Sequence, residues 1–307
     1  MDIFSALLLT AFVVGYLVLA GADVGLGLLM PRVARSTGQR RSALAAIAPY
    51  FLASEVWLVA ALGVLAGLFP SVEHHVVGRL WPALAALALA WLIRDAGLWL
   101  WRRVPSARWR AVWEGAVIAG SWGLALSWGL ILAGLLTGVL WSGLFTPLCT
   151  AAVVALFALR GASFGADRLA ADDGGQAADA CGELTRILSR WAMAAVVLAA
   201  AAAVLPGGPR PEDPLVAGAV MLLLLGSLMV TTGVYGPMIS RVTSAMAIAA
   251  PGILVALVAD LPSAAIPGVT GTFVWATLVP TVPVMLLGQV WLHRMTRRSA
   301  GAVTFFA

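Results

Sequence analysis

The feature that most constrains this chain is a recurrence: apolar stretches of about 20 residues, long enough to carry a helix across the hydrocarbon core of a bilayer, return repeatedly between short polar turns. Nine segments meet or approach that length, at about 3–30, 43–69, 80–101, 112–136, 141–164, 188–205, 215–239, 243–261 and 271–292. Lipid offers the backbone no hydrogen-bond partners, so such segments must satisfy their own N–H and C=O groups. The expected fold is therefore all-α, a polytopic membrane protein of nine transmembrane helices in packed bundles, forming one integral membrane domain over residues 1–307. The sixth segment, Ala-rich and closed by Pro206-Gly207-Gly208, reads as the shortest.

Composition excludes the water-soluble alternative, because only 11% of residues are charged and 62% are hydrophobic, against about 25% charged in ordinary globular domains. Every basic residue is an arginine, and the net charge of +5 belongs to loops rather than to a nucleic-acid surface. Met1-Asp2 precedes the first apolar run without a basic stretch, so that run reads as a permanent span and not a cleaved leader.

Arginine position orients the spans, since basic residues stay on the cytosolic side. With the N-terminus outside and the C-terminus cytosolic, the inner loops and tail hold Arg32, Arg35, Arg40, Arg41, Arg102, Arg103, Arg108, Arg110, Arg160, Arg168, Arg186, Arg190, Arg241, Arg294, Arg297 and Arg298. The outer loops hold Arg79 and Arg210, and Arg94 falls inside a span. Tryptophans, which gather at headgroup level, agree: Trp99, Trp101, Trp109, Trp113, Trp191 and Trp291 fall at the inner rim, Trp81, Trp141 and Trp275 at the outer one. Trp57, Trp91, Trp122 and Trp128 sit deeper and read as core packing. The pairs Gly21/Gly25, Gly134/Gly138 and Gly161/Gly165 suit close helix contacts. Segment 165–187, with Asp167, Asp172, Asp173, Asp179 and Glu183, reads as a solvated connector. Cys149 in an apolar segment and Cys181 in a polar loop read as free thiols.

His74 and His75 are expected in an outer loop and His293 at the inner end of the last span, leaving no intramembrane histidine for haem or metal. No metal site is expected in this chain. The chemistry lies instead in buried ionisable residues, each costing about 2.5–3.5 kcal/mol at mid-membrane on insertion scales and so requiring a partner or a purpose. At about 1.5 Å per helical residue, Glu114 lies roughly 6 Å from Arg110, Asp95 roughly 10 Å from Arg102, Asp23 roughly 13 Å from Arg32 and Glu55 roughly 21 Å from Arg41, a staircase of depths. Arg94 and Asp95 are sequence neighbours pointing about 100° apart, so Arg94 should pair with a carboxylate on another helix. Glu114 reads equally as a rim charge, Arg160 as a snorkelling side chain, and Asp260 as solvated. Spacing alone leaves two uses open for Asp23, Glu55, Asp95, Glu114 and Arg94, namely polar anchors between helices or a proton path.

The motifs Gly21-Ala22-Asp23-Val24-Gly25, Pro31-Arg32-Val33-Ala34-Arg35, Glu55-Val56-Trp57-Leu58, Arg94, and Arg108-Trp109-Arg110-Ala111-Val112-Trp113-Glu114 resemble, in order and spacing over about the first 130 residues, subunit II of cytochrome bd-type quinol oxidase. The resemblance implies a heterodimer in the bacterial cytoplasmic membrane. Its partner, subunit I, would carry two b-type haems and one d-type haem, oxidise quinol near the outer face and reduce oxygen to water with cytosolic protons. Subunit II of that family holds no haem, supports subunit I, lines part of a proton or oxygen route and in some members holds a quinone; small accessory subunits are left open. Departures from the family pattern are Ala20 where an acid is usual, Phe51-Leu52-Ala53-Ser54 before Glu55 where an aromatic-Asp-Gly-Asn run is usual, and Asp95 where proline follows the arginine. Asp95 thereby offers a carboxylate in exchange for the one absent at Leu52. The expected role is the non-haem subunit of a terminal oxidase, without catalytic residues of its own. A secondary transporter or channel, and a scaffold subunit without a proton role, are the alternatives.

Overall fold

A computed structural model of the chain describes residues 3–169, 175–211, 213–233, 237–259 and 268–297. Among them the chain runs as α1 (Ile3–Val33), α2 (Thr37–Leu68), α3 (Pro70–Leu100), α4 (Ala107–Thr137), α5 (Phe145–Arg168), α6 (Gln176–Ala203), α7 (Pro214–Gly233), α8 (Pro237–Val258) and α9 (Gly268–Arg297). All nine are long and apolar enough to cross a membrane. Asp172, Asp173, Asp260 and Arg298 lie outside the described residues, as do the side chains of Pro237, His293 and Arg297.

Local chemistry sets the helix ends. Ser36 caps α2 by accepting from the Gln39 N–H, while the Gln39 side chain accepts from the Ser36 N–H, which satisfies amides that no preceding turn can reach. Pro70 opens α3 immediately after Phe69, at a position where a missing N–H costs nothing. Gly138 ends α4 with φ +73°, a left-handed conformation that suits glycine.

Three expectations about connectors are corrected by these boundaries. His74, His75 and Arg79 do not sit in a loop but in the first three turns of α3, which at 31 residues is about 46 Å long and outreaches the roughly 30 Å hydrocarbon core. Most of segment 165–187 is helical rather than a solvated connector, because α5 runs on to Arg168 and α6 begins at Gln176. The sixth helix has 28 residues and α7, with 20, is the shortest among those described. Hydropathy missed the start of α6 because that stretch is amphipathic: Ala177, Ala178, Cys181, Thr185 and Ser189 are buried at helical spacing, while Asp179, Glu183, Arg186 and Arg190 face outward. Cys181 is therefore buried in a helix rather than lying in a loop, and both cysteines are free.

Helix α1 is the hub, packing against α2, α4, α5 and α8. Its contact with α5 is made backbone to backbone, since a Cβ on Gly25 would lie 2.0 Å from the Phe157 carbonyl oxygen and one on Gly161 2.0 Å from the Gly25 carbonyl carbon. The Gly134/Gly138 spacing is not such a contact: Gly134 packs against Leu80, whereas Gly138 is the α4 cap. Helix α9 lies on α2, where Val274 meets Gly67 and the Gln289 side-chain amide donates to the Ala53 carbonyl at 3.0 Å. The outer surface is apolar, with Trp81, Leu92, Leu222 and Phe273 exposed. Trp122 belongs to that surface rather than to the core, whereas Trp128 is buried.

Candidate functional site

Glycines position the central charges. A Cβ on Gly97 would lie 2.9 Å from the Trp113 carbonyl oxygen, and one on Gly120 2.8 Å from the Ala90 carbonyl oxygen and 2.5 Å from Arg94 Cβ, so α3 and α4 are in near backbone contact. Arg94 is fully surrounded, only 2% exposed, and extends to α1. There its Nη2 donates to Asp23 Oδ2 at 2.7 Å. Asp23, with no exposed surface, also accepts from the Val24 N–H at 2.7 Å and from Ser54 Oγ of α2 at 3.4 Å. The expectation that Arg94 pairs across helices holds, and a second, looser contact joins Arg94 Nη1 to Asp95 Oδ1 at 3.7 Å.

Asp95 in turn neighbours Glu55 on α2. Glu55 Oε1 accepts from the Trp91 indole at 2.9 Å. Asp23, Arg94, Asp95 and Glu55 thus form one connected cluster across α1, α2 and α3, with Arg94 Nε and Asp95 Oδ1 buried and without a hydrogen-bond partner. The expected staircase is corrected. Counting residues from the nearest arginine measures distance along one helix, not height in the bundle, and helices of unequal overhang bring Glu55 and Asp95 to the same level.

Glu114 stands apart from this cluster. It is buried, accepts from Arg40 Nη1 at 2.9 Å and from the Trp101 indole at 3.1 Å, and so joins the start of α2, the end of α3 and the first turns of α4. Arg160 does not snorkel. It is buried between α1, α5 and α8, where it donates to the carbonyls of Val18 at 3.3 Å and Arg241 at 2.8 Å. A guanidinium has five donors, and here two of them reach the second lone pairs of helix carbonyls, so the charge is satisfied without leaving the bundle.

Several partners were not singled out from the sequence: Ser54, Trp91, Trp101, Arg40, and the buried pair in which the Trp128 indole donates to the Tyr16 hydroxyl at 3.1 Å. Trp91 carried a usable signal, because it precedes Asp95 by one helical turn and so shares its face. The others required knowledge of which helices touch.

A bundle of membrane-length helices that buries Arg94 against Asp23 and holds Glu55 and Asp95 half-buried beside them defines an integral membrane protein with polar work inside the lipid. Residues 1–296 match the family model for cytochrome bd terminal oxidase subunit II, and the chain belongs to that family. It is 29% identical over 133 residues to the cytochrome bd-I ubiquinol oxidase subunit 2 of Escherichia coli (strain K12), a match covering 43% of this chain and 35% of that protein. Over 115 residues it is 26% identical to the cytochrome bd ubiquinol oxidase subunit 2 of Bacillus subtilis (strain 168), covering 38% of this chain and 34% of that one. These matches span about a third of the length of the curated relatives. The bd oxidase structure from Geobacillus thermodenitrificans superposes with a TM-score of 0.68 over 95% of this chain and 98% of that one, at 16% identity, which establishes a shared fold.

Proposed function

We propose that this chain is the haem-free subunit of a bd-type quinol oxidase, paired with a haem-bearing subunit I, and that its buried cluster handles protons drawn from the cytosolic side. Family membership over residues 1–296 carries the first part. The cluster carries the second: one guanidinium meets two carboxyl groups within the spans, and a third, Glu55, neighbours Asp95. Net negative charge in lipid is costly, and neighbouring carboxyl groups relieve it by sharing a proton. Glu55 and Asp95, neighbours of each other and half-buried beside the sealed Arg94–Asp23 pair, are the members able to gain and lose that proton. Arg94 and Asp23 are the fixed members, because separating them would strand a charge.

In this reading the haems of the partner carry electrons from quinol to oxygen, and this chain contributes no redox group. His74 and His75 lie in the first turns of α3, His74 exposed and His75 half-buried. The N-terminus is outside and the C-terminus cytosolic, and residues 1–307 form one membrane domain. The anchor alternative draws on the same ion pair, which ties α1 to α3 whether or not protons move.

The test is purification of the tagged full-length chain from its native membrane, with a reduced-minus-oxidised spectrum and identification of what accompanies it. Haem b and haem d bands with a single large partner are expected. A colourless preparation lacking that partner would overturn the oxidase assignment.

A further inference from the structure

At the end of the bundle away from the arginine-rich turns, three connections converge: the start of α3, the turn between α4 and α5, and the turn between α6 and α7. They enclose a cavity of about 590 Å³ lined by His75, Arg79, Ser142, Gly207 and Arg210. Two left-handed glycines shape its rim, Gly138 at φ +73° and Gly207 at φ +91°, and the Ser142 hydroxyl donates to the Gly207 carbonyl, tying the two turns together. Every basic residue of the chain is an arginine, and at this end of the bundle the described ones are Arg79, in the third turn of α3, and Arg210, on the turn after α6. Both line this one cavity, and no carboxylate does so among the described residues.

The cavity does not end in polar walls. Through Val76 and Leu135 it adjoins an apolar cavity of about 180 Å³ that runs between α1, α2, α3, α4 and α8 toward Tyr16 and Trp128. Through Leu136 and Pro209 it adjoins a second apolar cavity, of about 100 Å³, between α4, α5, α6, α7 and α8. The end of α4 divides the two, and Leu132 borders both. A cationic mouth adjoining two separate apolar cavities has the polarity of a molecule with one anionic head and two hydrocarbon tails.

We propose that this face holds a two-tailed anionic phospholipid, its phosphate between Arg79 and Arg210 beside His75, and the first segments of its acyl chains in the two apolar cavities. Arg79 already donates to the Gly138 carbonyl at 2.8 Å, which fixes its guanidinium at the end of α4 and leaves its remaining donors for the head. Arg210 is exposed and completes the clamp from the opposite turn. Arg79 and Arg94 stand about 22 Å apart along α3, so this site is distinct from the charge cluster and does not depend on how protons are handled.

The test uses the full-length chain, purified with the subunits that accompany it and washed in detergent until lipid-poor, then titrated with dioleoylphosphatidylglycerol while bound lipid is counted by native mass spectrometry. A retained lipid is expected, weakened about fivefold by Arg210→Gln and about 25-fold by Arg79→Gln with Arg210→Gln, the scale of one surface arginine per step near an anionic head. The single-tailed lysophosphatidylglycerol should bind more weakly than the two-tailed lipid, and inorganic phosphate at millimolar concentration should not displace it. Because Arg79 also supports α4, the single variant Arg210→Gln, on a turn, separates loss of the ligand from misfolding. Equal lipid retention by wild type and the double variant would overturn the proposal. So would displacement by inorganic phosphate, which would mark a free-anion site, or displacement by a quinone at lower concentration, which would mark a quinone site.

Discussion

Arg94 of α3 and Asp23 of α1 meet at 2.7 Å with almost no exposed surface on either, 71 positions apart in the chain. Their contact crosses the bundle and depends on Gly97 and Gly120, which let α4 close against α3 and leave the arginine no direction but inward. It is the fixed point from which the rest of the cluster is suspended.

Removing one partner of that pair should be worse than removing both. Arg94→Leu or Asp23→Leu leaves a charge sealed without its counter-ion, at about 3–5 kcal/mol, whereas the double variant leaves none. Thermal unfolding of the purified complex checks this: both single variants should fall well below wild type, with the double variant above either. A double variant no better than the sum of the singles would show that the two charges are not coupled.

Glu55→Gln keeps the acceptor for the Trp91 indole but cannot release a proton. Quinol oxidase turnover should drop at least tenfold while the haem spectrum of the assembled complex is unchanged. Loss of the spectrum together with turnover would make Glu55 an assembly residue and favour the anchor reading.

Gly161→Ala places a methyl 2.0 Å from the Gly25 carbonyl carbon and 2.2 Å from the Leu26 nitrogen, backbone atoms that cannot step aside. Overpacking of this kind costs about 1–3 kcal/mol or more. Gly182→Ala, where nothing lies within 4 Å, should be neutral or mildly stabilising in α6. Melting temperatures of the two variants should therefore move in different directions.

Orientation can be read with thiols, because Cys149 and Cys181 are buried and should give little background. A membrane-impermeant maleimide should label Trp141→Cys in intact cells and Arg102→Cys only after permeabilisation. The reverse pattern would invert the topology.

Much of the site was legible before any fold was known. Asp23, Glu55, Arg94 and Asp95 announced themselves because charge is expensive in lipid, and a run of apolar residues interrupted by one leaves few explanations. The turn between neighbours along a helix also indicated that Arg94 had to seek a carboxylate elsewhere. Glu114 was legible as a residue but not as a node, since its partners Arg40 and Trp101 come from two other helices. Arg160 was misread for the same reason: a side chain near a helix end snorkels if it faces lipid, and only the packing of α1 and α8 against α5 shows that it does not.

By itself, the amino-acid order determined that the described residues form nine helices long and apolar enough to cross a membrane, and which ionisable groups sit within them, because the cost of bare backbone and bare charge in hydrocarbon is paid locally, residue by residue. Only tertiary structure decided which carboxylate takes the arginine, that Glu55 and Asp95 stand level, and that Arg79 and Arg210 share a cavity. Those outcomes depend on how far each helix overhangs its neighbour and where glycines let backbones close, and neither quantity is written in the hydropathy of a single segment.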